Sequence, residues 1–333
     1  MGTVWRAWLF FQPDDSRASH GPLPIALKVL HAQADESPAL RALFANEAAA
    51  MKTLHHPNIV AFHDFFVCGR TVALAMELVE GSTLEDVISR HRARARVAAG
   101  GQAGVPVARA WYYFQQLLGA LAATHAIGVV HGDVKPSNVL VRGDGIVKLS
   151  DYGIARLLPG SAVESSSPNV SAAFAVGTGA YMSPEQVLGA PLDARSDLYS
   201  AAIVLYEMLA GRPPFSVDDK SEFSLRHDQV ESTPPPLGAV AADAPADLEP
   251  VLARALAKDP RYRYASAIEL GQALRVAIGA HETPEWRAQI EIATDAQRQH
   301  SANDEAGRMR RLVALRELVL RGYRASNPSR PLP

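Results

Sequence analysis

His131-Gly132-Asp133-Val134-Lys135-Pro136-Ser137-Asn138, followed by the triplet Asp151-Tyr152-Gly153, decides how this chain is read. Its carboxylates and its amide supply hard oxygen ligands of the kind a divalent cation takes, and Lys135 adds a fixed positive charge. Each residue also has a bland reading, because Asp and Asn form turns readily and Asp-x-Gly triplets occur in many loops. The stretch gains weight only when fitting patterns recur at suitable intervals on both sides of it.

They do recur. Upstream, Ile25-Ala26-Leu27-Lys28-Val29-Leu30 alternates like a half-buried strand, with Ile25, Leu27 and Val29 on one face and Ala26 and Lys28 on the other. Leu40, Leu43, Phe44, Glu47, Met51 and Leu54 recur at helical spacing and set Glu47 inside an apolar stripe, where an unpaired carboxylate is costly. Thr71 to Glu80 alternates again, with Val72, Leu74, Met76 and Leu78 on one face. Arg109 to His125 carries Trp111, Phe114, Leu117, Leu118 and Leu121 at helical intervals and ends just before the quoted stretch. Ser196 to Gly211 is apolar nearly all round after Asp197, as expected of a helix buried in a large unit and capped by Ser196 or Asp197.

Taken together, these residues resemble the catalytic domain of bacterial-type (Hanks-type) serine/threonine protein kinases, truncated within the glycine-rich loop. The resemblance runs from Gly2 to about Ala280. It implies an α+β, two-lobed fold: a small, mainly antiparallel β N-lobe that lacks its first strand and carries one helix, and a larger, mainly α-helical C-lobe. A transferring phosphoryl group needs positioning and cationic stabilisation more than covalent help. The family pattern therefore assigns Asp133 as catalytic base, Lys135 to the transferring charge, and Asn138 and Asp151 to Mg2+. It places Lys28 on the phosphates of ATP, paired with Glu47, and Ala26 over the adenine. Met76 becomes the gatekeeper, the Glu77 carbonyl and Val79 amide hold the adenine, and Leu140, Gly2 and Val4 complete the nucleotide contacts. Lysine two places after the catalytic aspartate favours serine or threonine acceptors. Asp197 is expected to tie the catalytic loop to the central helix, Glu185 to pair with Arg263, and Thr178 to shape the acceptor site, while His55 and His56 are structural.

Departures from the pattern carry their own expectations. Met1-Gly2-Thr3-Val4 matches only the last glycine and the valine of the phosphate-covering loop, which predicts weakened nucleotide binding, an unpaired sheet edge, and a true start upstream of Met1. Gly132 stands where an arginine often precedes the catalytic aspartate, so phosphorylation control through that arginine is lost. Tyr152 replaces phenylalanine and brings a hydroxyl that needs water or a partner. Ser161, Ser165, Ser166, Ser167 and Ser171 offer modification sites in the following segment. A pseudokinase or scaffold is the rival reading; a small-molecule kinase is disfavoured by Gly177-Thr178 with Ser183-Pro184-Glu185.

The whole chain sets broad bounds. With 333 residues and 48% hydrophobic content it can bury a large core, and a net charge of −2 argues neither for nucleic acid nor for an acidic tail, so no nucleic-acid partner is expected. Cys68 is the single cysteine, which excludes an internal disulfide and fits a reducing cytoplasm. No apolar run reaches membrane-spanning length. The expected organisation is a kinase domain over 1–280, with its N-lobe at 1–80 and C-lobe at 81–280, and a helical extension over 281–333. Arg90 to Pro106 reads as a solvated loop. The expected partners are protein substrates, with self-association through the N-lobe or the C-terminal helix.

Overall fold

The computed structural model describes residues 2–9, 23–30, 54, 56–68, 71–97, 104–152, 156–157, 178–216 and 221–279. The chain divides into two units, with the boundary after Val79.

The first unit is built on strands β1 (Gly2–Leu9), β2 (Leu23–Leu30), β3 (Phe62–Cys68) and β4 (Thr71–Glu77), an antiparallel sheet in the order β1-β2-β4-β3. The branched and aromatic content of these segments suits a pleated, half-buried surface. β4 departs from simple alternation: Ala73, Leu74, Ala75 and Met76 are all buried. As a central strand it is covered on both faces, and alanine on the second face lets cover approach closely. Ile25 and Ala26 on β2 are likewise both buried. β3 shifts register between Phe62 and Asp64, a bulge that bends the strand. β1 pairs with β2 alone among the described residues. Val4, Trp5 and Trp8 are exposed on this strand, and the Arg6 guanidinium lies 5.3 Å from the Trp8 ring centre. The helix expected around Glu47 lies outside the described residues, except for buried Leu54.

The second unit begins with β5 (Gly81–Thr83) and α1 (Leu84–Val97), then α2 (Val107–Ala126) and β6 (Val129–Val130). β7 (Val139–Arg142) and β8 (Val147–Leu149) join β5 in a small antiparallel sheet, and β9 (Arg156–Leu157) pairs with β6. The remaining helices are α3 (Pro184–Val187), α4 (Ala194–Ala210), α5 (Glu222–Glu231), α6 (Leu237–Val240), α7 (Leu248–Ala255) and α8 (Ala267–Gly279).

Two expectations are corrected here. Arg90, Arg92, Arg94 and Arg96 lie on α1 rather than in a solvated loop. Thr83 and Asp86 cap the start of this helix reciprocally, at 3.0 and 3.1 Å. Leu84, Val87 and Ile88 bury one face, and arginines in the last turn favour the negative end of the helix dipole. The end of the same insert is packed: the Val105 amide donates to the Met208 carbonyl at 2.6 Å, and Gly104 sits so close to the Leu209 backbone that a side chain has no room. The second correction concerns α4, whose cap is Asp193, accepting from the Arg195 amide at 2.7 Å. Ser196 and Asp197 sit inside the first turn, where their side chains serve other partners. α4 is buried along nearly its whole length and ends at Gly211, whose φ of 76° gives the left-handed cap that glycine adopts without cost.

Candidate active site

Residues 131–138 form a loop that runs from β6 into a single 3-10 turn, Pro136–Asn138, with proline at its first position. α2 supports it from below through the predicted stripe of Trp111, Phe114, Leu117, Leu118 and Leu121, all buried. Burying each such side chain contributes roughly 1.5–3 kcal/mol, which makes α2 a rigid base for the loop.

Asp197 fixes the loop's backbone. Its Oδ2 accepts from the His131 amide and its Oδ1 from the Gly132 amide, both at 2.8 Å, and His125 Nε2 lies 2.8 Å from Oδ2. Gly132 has φ 74°, a left-handed conformation that any side chain would strain. Glycine at this position is therefore suited to the turn that presents Asp133. His131 Nδ1 accepts from the Asp133 amide at 3.2 Å, so its Nε2 carries the proton toward the Ser150 carbonyl at 3.0 Å. Burial pushes the His131 imidazole below its ordinary range, against the pull of Asp197, and keeps it in this neutral form.

The three catalytic-loop residues read from the sequence come together. Asn138 Nδ2 donates to the Asp133 carbonyl at 2.8 Å and to Asp133 Oδ2 at 2.9 Å. Lys135 Nζ lies 2.8 Å from the same carboxylate oxygen. A carboxylate held by an amide and an ammonium group has one orientation, and it remains partly exposed, as a base that must reach an incoming hydroxyl requires. Asp151 follows Ser150, whose amide and hydroxyl both donate to the Asn138 carbonyl at 2.9 and 3.0 Å. Asp151 itself has φ 52°, unusual for a residue with a side chain. The donor set fits Mg2+: the Asn138 amide nitrogen faces Asp133, which leaves its oxygen for a hard cation, and Asp151 supplies a carboxylate. Mg2+ commonly takes one or two protein ligands and completes its shell with phosphate and water.

Other predicted contacts of this unit are equally direct. Glu185 and Arg263 form a two-pronged pair at 2.6 and 2.8 Å, and Ser196 donates to Glu185 at 2.6 Å. Burial alone would raise Glu185, but the Arg263 hydrogen bonds and charge outweigh it and hold the carboxyl below its ordinary range. Leu140 is half-buried on β7. The side chain of Thr178, the serines from Ser161 to Ser171, Gly153, Gly177 and the 281–333 extension lie outside the described residues.

In the first unit, Lys28 stands on β2 between Val4 of β1 and Leu74 of β4. Ala26 is buried beside it, and Val4 is 55% exposed. Gly2 pairs with Leu30 at the end of the sheet. Glu77 is buried, and its amide donates to the Ala61 carbonyl at 2.8 Å while its carboxylate accepts from the Ala61 amide at 3.1 Å. Val79 is half-buried, and Glu47 lies outside the described residues.

Several positioning contacts were not read from the sequence. Gln186 Nε2 donates to the Gly132 carbonyl at 2.7 Å, while its Oε1 accepts from the Ser183 amide at 2.9 Å in a reciprocal cap of α3. The Ser-x-x-Gln spacing was the available signal. Gln229 on α5 is fully buried and donates to the Ala180 and Gly179 carbonyls, accepting in turn from the Tyr199 hydroxyl at 2.9 Å. The Tyr181 hydroxyl donates to Glu207 Oε2 at 2.7 Å. The Gln229 and Tyr181 contacts have no local signature.

Comparison with known proteins places these features. The protein kinase domain family matches residues 18–273. The serine/threonine-protein kinase PknL of Mycobacterium tuberculosis is 36% identical over 264 residues, covering 79% of this chain and 61% of that protein. PknB of the same organism is 35% identical over 289 residues, covering 86% of this chain and 43% of that protein. The chain thus spans about three-fifths or less of these relatives. Among solved structures, the kinase domain of M. tuberculosis PknI superposes with a TM-score of 0.59 at 27% identity, covering 83% of this chain and 91% of that one.

Proposed function

Because this chain belongs to the protein kinase family, we propose that it transfers the γ-phosphate of ATP to serine and threonine hydroxyls of protein substrates. The observation that carries the reading is the cluster at Asp133, whose one carboxylate oxygen lies 2.9 Å from Asn138 Nδ2 and 2.8 Å from Lys135 Nζ. In this reading Asp133 accepts the hydroxyl proton, and Lys135 steadies the negative charge that spreads over the transferring group. Asn138 and Asp151 hold Mg2+, which when bound neutralises phosphate charge. Lys28, paired with Glu47, takes the phosphates, and Gly2, Val4, Ala26, Glu77, Val79 and Leu140 surround the rest of the nucleotide. Residues 1–280 act as the kinase domain, with 281–333 as an extension to it. The setting is the cytoplasm; among the described residues no helix is long and apolar enough to cross a membrane.

Phosphoamino-acid analysis after incubation with γ-labelled ATP, Mg2+ and a generic protein substrate tests this. The expected result is label on serine and threonine that disappears in Asp133→Asn. Label on tyrosine alone, or none above the variant while nucleotide still binds, overturns the proposal and favours a scaffold.

A further inference from the structure

The hydroxyl that distinguishes Tyr152 from the phenylalanine it replaces lies 2.9 Å from Thr124 Oγ1, in a wholly buried setting. Thr124 stands near the end of α2, and its own hydroxyl proton goes to the Ala120 carbonyl at 2.8 Å. Thr124 is therefore the acceptor and Tyr152 the donor. The Tyr152 ring packs against His131 with centroids 4.6 Å apart. Asp151, immediately before it, adopts a positive φ, and such a conformation persists only where its surroundings over-determine it. On one side of Asp151 the Ser150 backbone is fixed by Asn138 and His131. On the other side, among the described residues, the Tyr152 side chain is anchored by Thr124 and His131.

We propose that Thr124 is a positioning residue for phosphoryl transfer: its hydroxyl latches Tyr152 inward and so holds Asp151 where a magnesium ligand is needed. Without the acceptor, a fully buried phenol has no hydrogen-bond partner. The ring then gains by swinging toward water, and it carries Asp151 with it. Removing the phenolic hydroxyl removes that incentive. The two positions are thus coupled, and a change at one alters the effect of the other. This inference rests on the kinase reading above.

The test is a double-mutant cycle with Thr124→Val and Tyr152→Phe on the full chain. Its readouts are phosphate transfer, the Mg2+ concentration that half-saturates it, and nucleotide binding with and without Mg2+. Thr124→Val is expected to lower transfer at limiting Mg2+ by about tenfold or more and to raise the half-saturating Mg2+, leaving metal-free nucleotide binding in place. Adding Tyr152→Phe is expected to return both toward wild type. An equal loss from Thr124→Val in both backgrounds, or a loss of metal-free binding and thermal stability with no change in Mg2+ dependence, overturns the latch. Wild type without any transfer would instead overturn the kinase reading, so the two failures are separable.

Discussion

In the proposed reaction Asp133 serves as the base, and its neighbours hold it: Asn138 and Lys135 fix the carboxylate, and Asp197 fixes the peptide groups before it. Asp133→Asn keeps the size and loses the base, so transfer should fall by about 10²–10⁴-fold with nucleotide affinity and melting temperature near wild type, measured by steady-state kinetics and calorimetry. Arg263 belongs to stability instead. It is fully buried against Glu185 and also donates to the Ala257, Arg195 and Lys258 carbonyls. Arg263→Met strands a buried carboxylate and should cost about 3–5 kcal/mol, read by urea unfolding. Asp133, Asn138, Asp197 and the Glu185–Arg263 pair were legible in the sequence because their motifs are short and fixed in spacing. Thr124 and Gln229 were not, because neither sits in a recognisable motif and nothing local marks a threonine or glutamine inside a helix as the acceptor or donor for a distant partner.

Among the elements, α4 carries the clearest titration. Burial raises the Glu207 carboxyl to about 6 from 4.5, with the Tyr181 hydrogen bond pulling it partly back and the Glu85 charge adding to the rise. A carboxyl raised in the folded state binds more protons folded than unfolded between those values, so stability falls as pH rises through that window. Glu207→Gln keeps an acceptor for Tyr181 and removes the buried charge. It should stabilise by on the order of 2 kcal/mol at pH 7.5 and by little at pH 4, measured by unfolding at both. α1 and the α4 cap show where sequence reading missed. Alternating arginine and alanine reads as a polar linker, yet both are good helix formers once Thr83 and Asp86 start the helix. Asp193, Ser196 and Asp197 all suit a cap, and tertiary partners for the last two decided the matter.

At the scale of the whole molecule, Lys28 belongs to the first unit and Asp133 to the second. If both serve one reaction, their effects cannot simply add. Lys28→Met and Asp133→Asn should each remove nearly all transfer, and the double variant should be scarcely worse than either, because residues that act as a unit are strongly non-additive. The α+β character of the chain was legible through the family resemblance, with which the strand alternation of Ile25 to Leu30 and the helical periodicity of Arg109 to His125 agree. Other features were not: the small β5-β7-β8 and β6-β9 pairings come from segments of two to four residues, too short to carry a period. The most direct measurement is the rate of phosphate transfer from saturating Mg2+-ATP to a serine- and threonine-containing protein, for wild type beside Asp133→Asn. The account predicts steady transfer by wild type and a near-complete loss in the variant; nucleotide bound by both with equal, background-level transfer would contradict it.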